Sequence, residues 1–180
     1  MSDLHLALLR GINVGGKNKL PMAELTEMFT AAGCSEVRTY IQSGNIVFRS
    51  PGSLAERIPE RITEAILDRF NMQIPVITRT ADELREITRN NPFLQAGADQ
   101  QALHVVFLRS RPDAAKVASL DPHRSSPDRY AVRGREIYLH CPNGFARTKL
   151  TNDYFDRTLS TTSTVRNWRT VLKLLEMAVK

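Results

Sequence analysis

A chain of 180 residues with 42% apolar and 24% charged side chains has the composition of a folded globular protein, which excludes a wholly disordered or fibrous one. Its 25 Lys and Arg against 19 Asp and Glu leave a formal charge of +6 and a pI near 9.7, a balance that favours acidic partners. At this length one large domain or two small ones can bury roughly 70% of the unfolded surface, so a core requires neither disulfide nor metal.

The first strand is announced by Leu4-His5-Leu6-Ala7-Leu8-Leu9-Arg10, a mostly apolar run that reads as a central strand buried on two faces. A Gly and Asn loop follows, then a helix over 21–32 with Met22, Leu25, Met28 and Phe29 at helical spacing, ended by Gly33. Strands over 36–42 and 45–50 form a hairpin turning at Ser43-Gly44. Ser53 and Glu56 have the spacing of a capping box for the next helix, which Pro59 kinks or restarts. A fourth strand over 73–78 completes β-α-β-β-α-β, the ferredoxin-like split βαβ order.

Thr80 with Glu83 caps a further helix that must stop near Asn91, because Pro92 biases its predecessor away from helix. Residues 94–101 have no periodicity and read as a linker. Leu103-His104-Val105-Val106-Phe107-Leu108-Arg109 then repeats the first strand, sharing its Leu, His, Leu and Arg. A strand over 102–110, a short helix from Pro112, a hairpin over 129–141 turning at Arg133-Gly134-Arg135, and closing helices over 151–159 and 166–179 complete the second half.

The fold class expected is therefore α+β: two tandem ferredoxin-like subdomains with mainly antiparallel sheets and extra C-terminal helices. The halves are placed at 1–79 and 102–180, joined by 80–101. No apolar run reaches the 18 or more residues of a membrane span, and the start lacks a basic secretory n-region, so a cytoplasmic location is expected. Cys34 and Cys141 have no partner Cys or His at ligand spacing, which leaves them as buried or idle thiols. The four histidines form no cluster by spacing, and no metal or cofactor is indicated.

Three stretches together resemble one family: 10–19 after the first strand, Tyr40-Ile41-Gln42-Ser43-Gly44-Asn45 at the hairpin, and Arg166-Asn167-Trp168-Arg169-Thr170-Val171 near the end. The chain is similar over its whole length to the bacterial family catalogued as domain of unknown function 1697. That resemblance implies duplicated ferredoxin-like α+β subdomains and supplies no reaction, cofactor or partner. Val165 stands where the family often has Thr in a Thr-Thr-Arg-Asn-Trp string, which leaves no hydroxyl there.

Gly11-Ile12-Asn13-Val14-Gly15-Gly16-Lys17-Asn18 nearly spells a P-loop, but Asn18 replaces the magnesium-binding hydroxyl and the helix waits until about Pro21. What survives is an anion nest of backbone N–H groups from Gly11, Asn13, Gly15 and Gly16, beside the charges of Arg10, Lys17 and Lys19. Gln42, Ser43 and Asn45 add amides and a hydroxyl at the hairpin, which the strand order is taken to put at the opposite sheet end from the loop. Base stacking of the RNA-recognition type lacks its aromatics, since the first strand has none and the third only Phe48.

Residues 1–80 carry 9 basic and 8 acidic groups, 81–100 carry 2 and 4, and 101–180 carry 14 and 7, so the basic excess belongs to the C-terminal half. Arg147, Lys149, Arg166, Arg169 and Lys173 form the basic surface expected there, the last three following one face of the final helix. The leading functional expectation is binding of a phosphate-bearing ligand, a nucleotide or nucleic acid. The alternatives are an enzyme acting on a small anionic metabolite between the halves, which lacks an evident base, and a protein-interaction module.

Overall fold

β1 (Asp3–Leu9) is buried without a break from His5 to Leu9, as expected of a central strand. The chain continues through α1 (Met22–Ala31), β2 (Ser35–Tyr40), β3 (Asn45–Ser50), α2 (Gly52–Ala55), α3 (Ile58–Phe70) and β4 (Val76–Thr80). β3 and β4 flank β1 and β2 lies outside β3, so the first sheet runs β2-β3-β1-β4, antiparallel throughout. Leu25, Met28 and Phe29 of α1 and Ile58, Ile62 and Ile66 of α3 cover one sheet face, packing on Ala7, Leu9, Ile46, Phe48 and Val76. The computed structural model describes residues 3–179.

α4 (Ala81–Arg89), α5 (Pro92–Gln95) and a single 3-10 turn (Gln100–Ala102) lead into β5 (Leu103–Leu108); within the segment 94–101, residues 96–99 lie outside any helix. There follow α6 (Ala114–Ala118), β6 (Arg129–Arg133), β7 (Glu136–His140), α7 (Asn152–Leu159), β8 (Ser163–Asn167) and α8 (Trp168–Val179). The second sheet, β6-β7-β5-β8, is again antiparallel and has the same order as the first. Its core joins Val106, Leu108, Ile137 and Leu139 to Phe155 and Leu159 of α7. Two compact units result, one up to Leu84 together with the residues from Leu174, the other Arg85–Lys173. They divide within α4, between Leu84 and Arg85, and within α8, between Lys173 and Leu174.

Local sequence accounts for most element ends. The Thr80 to Glu83 capping box forms in both directions, Thr80 N–H donating to Glu83 Oε2 at 2.8 Å and Glu83 N–H to Thr80 Oγ1 at 3.1 Å. Asn91 accepts from the N–H groups of Phe93 and Leu94 and so starts α5. The expected Ser53 to Glu56 box does not form. Pro51 takes the cap position with no side-chain hydrogen bond, the first helix is one turn long, and Pro59 sits in the first turn of a new one.

A second correction concerns the end of the chain. Residues 166 and 167, expected at the start of the closing helix, instead end the edge strand β8 (Ser163–Asn167), paired antiparallel to β5. Asn167 accepts from Thr170 N–H at 2.8 Å, so the helix begins at Trp168, whose ring is 1% exposed.

Both thiols are buried, 5% exposed at Cys34 and none at Cys141. Burial pushes each up from an ordinary value near 9 to about 11; the nearby Arg61 charge partly offsets this at Cys34, and Asp128 adds to it at Cys141. Below pH 9 the thiols are protonated in both folded and unfolded chains, so their contribution is intact. Between pH 9 and 11 the unfolded chain ionises first, and stability should fall by about 2 kcal/mol per thiol. Tyr138, also raised by burial, extends the loss further upward. Urea midpoints measured across this range check the expectation. A flat profile would contradict it, and Cys34→Ala should remove part of the slope.

Candidate functional site

The loop after β1 folds back on itself. Val14 and Lys17 form an antiparallel bridge, Lys17 N–H donates to Val14 O at 3.0 Å, and Asn13 N–H donates to Asn18 O at 3.1 Å. Between them Gly15 and Gly16 both have positive φ, 57° and 74°, the signature of a type I′ turn. A Cβ at either glycine would meet nothing within 4 Å, so the glycines serve the turn and not a close approach. The loop is thus a miniature hairpin and not a phosphate-wrapping P-loop. α1 starts only at Met22, so no helix N-terminus lies at the turn, and the amides of Asn13 and Lys17 are already committed.

Asn13 is the strut of this arrangement. Its Oδ1 accepts from Leu20 N–H at 2.8 Å, while its Nδ2 donates to Leu20 O at 2.9 Å and to Gln42 O at 2.8 Å. Its own φ of 54° is one that Asn tolerates better than most residues. Asn18 adds a second tie, donating from Nδ2 to Gly11 O at 2.9 Å.

The bond to Gln42 corrects the expectation that loop and hairpin lie at opposite sheet ends. Because β3 runs antiparallel to β1, the start of β3 lies beside the end of β1. Leu8 pairs with Asn45, and Leu9 N–H donates to Gly44 O at 2.9 Å. The two motifs therefore share one end of the first sheet.

Of the amide and hydroxyl candidates, several prove to be internal. Asn45 is fully buried, its Nδ2 donating to Tyr40 O at 3.2 Å and to Ser43 Oγ at 2.9 Å, so both Asn45 and Ser43 shape the turn. Gln42 keeps an exposed side chain while its carbonyl receives Asn13. Arg10 is half-buried, and its N–H is bonded to Pro75 O at 3.1 Å. Lys17 and Lys19 are exposed. Their tip also carries two exposed aliphatic residues not singled out from the sequence, Val14 at 62% and Ile41 at 52%. Ile41 has a φ of 49°, a conformation costing a β-branched residue about 1–2 kcal/mol and carrying no signal in the residue type.

In the second unit Arg147, Lys149 and Arg169 are exposed and Lys173 is half-buried. Arg169 and Lys173 lie one helical turn apart on α8. Arg166 does not belong with them: it is 8% exposed, sits in β8, and donates from Nη1 to Thr164 Oγ1 and to Val165 O, each at 2.8 Å. Burial lowers its pKa to about 10. The extrapolation of helical spacing back to 166 fails because the chain is a strand there.

His5 and His104 pack against aromatic rings within their own units. His5 stacks on Phe48 with centroids 5.5 Å apart, and His104 on Phe145 at 4.5 Å. Burial lowers the pKa of His104, favouring its neutral form. Among the described residues no group of three or more His, Cys, Asp or Glu is placed to hold a metal ion, and no helix is long and apolar enough to cross a membrane.

The class these features define is an α+β protein with two four-stranded antiparallel sheets of identical strand order. A family model described as "Protein of unknown function (DUF1697)" matches residues 3–138, and the chain belongs to that family. A solved structure, conserved bacterial protein SP0830 from Streptococcus pneumoniae, is similar over 100% of both chains, with 25% identity and a TM-score of 0.78. No curated protein matches the chain.

Proposed function

We propose that the chain is a cytoplasmic binding protein for a phosphate-bearing ligand, a nucleotide or nucleic acid, built as two tandem ferredoxin-like repeats. The ligand meets the loop between Gly11 and Lys19, where Lys17 and Lys19 supply charge, Arg10 adds to it, and Gly15, Gly16 and Gln42 offer polar groups. Asn13, Ser43 and Asn45 hold the turns in place instead of touching the ligand. Arg147, Lys149, Arg169 and Lys173 form a secondary basic surface.

The observation that carries this reading is that Lys17 and Lys19 stand exposed on a tip whose backbone is locked by the three Asn13 side-chain bonds. A cation held on a rigid scaffold loses less freedom on binding than one on a mobile loop. The repeat reading is favoured by register: His5 pairs with Thr80 and His104 with Asn167, and Thr80 and Asn167 each begin the helix that follows.

Fluorescence anisotropy at low salt, with labelled single-stranded and duplex oligonucleotides and with nucleoside triphosphates as competitors, tests the proposal. Binding that Lys17→Gln plus Lys19→Gln weakens is the expected result. Absence of binding to every probe at low salt sinks the reading.

A further inference from the structure

Two turns of the second unit, 125–128 and 141–147, enclose a cavity of about 370 Å³, within the range of small-molecule sites. Both walls are fixed. Ser125 Oγ accepts Lys149 N–H at 2.9 Å, Asp128 N–H donates to Ser125 O at 2.8 Å, and Arg124 Nε donates to Lys149 O at 2.9 Å. The Arg124 guanidinium lies 3.9 Å from the Tyr154 ring centroid, and the Tyr154 hydroxyl accepts from Asp121 N–H. On the other wall Gly144 N–H donates to Cys141 O at 3.0 Å and Thr148 N–H to Phe145 O at 3.2 Å.

Inside, the charges are one of each sign. Asp128 is 7% exposed, and one of its oxygens, Oδ2, accepts from Ser125 Oγ at 2.8 Å. Its other oxygen has no hydrogen bond among the described residues. Arg147 lines the same cavity, is exposed, and has no ion pair or hydrogen bond among the described residues. Ser125, Ser126, Asn143 and Gly144 make the rest of the lining mainly polar, with Pro127 as its one apolar side chain.

A ligand carrying only a phosphate would set its charge against Asp128, and a neutral polyol would leave Arg147 uncompensated. A molecule with both an ammonium and a carboxylate satisfies both, through charge-assisted hydrogen bonds of the stronger kind. We propose that this cavity binds a small free amino acid, its ammonium on Asp128 and its carboxylate on Arg147. The small and mainly polar lining selects a side chain that is itself small or polar. The site lies wholly within Arg85–Lys173 and is independent of the Gly11 to Lys19 loop.

The test is a thermal-shift screen of the full chain against the free amino acids, ω-amino acids of increasing length, and the Nα-acetyl and carboxamide form of each, with calorimetry on the hits. The expected result is that one or a few free zwitterions raise the Tm while both blocked forms do not. Asp128→Asn, which retains an oxygen to accept from Ser125, and Arg147→Gln should each weaken binding about tenfold to hundredfold, the loss expected of a hydrogen bond to a charged group. The proposal is overturned if no free amino acid shifts the Tm, if blocked forms bind equally well, or if both variants fold and bind as the parent does.

Discussion

Gly44→Ala is expected to destabilise the protein by about 2–5 kcal/mol, combining a left-handed-region cost with overpacking against the centre of a sheet. Gly44 has a φ of 80°, and a Cβ there would stand 2.6 Å from Leu9 Cβ and 3.0 Å from Ile12 Cδ1. Ile12 can move the end of its side chain, but Leu9 Cβ is attached directly to the backbone of the central strand. That strand is tied to the same glycine by the Leu9 N–H to Gly44 O bond of 2.9 Å. Gly15→Ala provides the control. It has a positive φ of 57° with nothing within 4 Å of the added Cβ, so only the conformational cost of about 1–2 kcal/mol applies. Urea denaturation of the two variants should separate them by about 1–3 kcal/mol, the overpacking cost alone. Equal losses would mean that the β3 turn does not press on β1 as described.

Asn13→Ala should cost about 3–4 kcal/mol, because three side-chain hydrogen bonds worth about 1 kcal/mol each disappear at a backbone conformation Ala adopts poorly. Leu20 is fully buried, so its N–H and carbonyl have little access to replacement water. Asn13→Gly removes the same bonds but tolerates the φ of 54°, and should recover about 1 kcal/mol of the loss. The difference between the two variants isolates backbone strain from bonding. If Asn13→Ala unfolds at the same urea concentration as the parent, the strut assignment is wrong.

Much of the fold could be read from residue patterns because the relevant physics is local. The matching runs at 4–10 and 103–109, the Arg133-Gly134-Arg135 turn and the Thr80 to Glu83 box each carry their signal within a few positions. β8 escaped because Ser163–Asn167 is short, contains one apolar residue, and is followed by a helix whose basic spacing extends backward across it. Asn167, a good N-cap residue, was the available clue that the helix starts later. At Ser53 and Glu56 a correct cap spacing is overridden by two prolines that set their own helix starts.

The loop illustrates a different limit. Its residue types, Gly, Asn and Lys, are those of an anion site and equally those of a tight hairpin. Spacing does not reveal which way an amide points, and here Asn13, Asn18 and Asn45 all point inward to carbonyls. The Asp128 and Arg147 cavity carries no sequence signal, since its two charges lie 19 positions apart and Arg147 reads there only as part of a basic surface.

The most direct measurement of the central claim is the salt dependence of oligonucleotide binding by the parent and by Lys17→Gln plus Lys19→Gln. Each phosphate contact on duplex DNA contributes about 0.9 to the slope of log K against log salt. Engagement of both lysines therefore predicts that the double variant lowers the slope by about 1.8, at unchanged thermal stability. A slope that is the same in parent and variant would contradict the assignment of the Gly11 to Lys19 loop as the phosphate-contacting element.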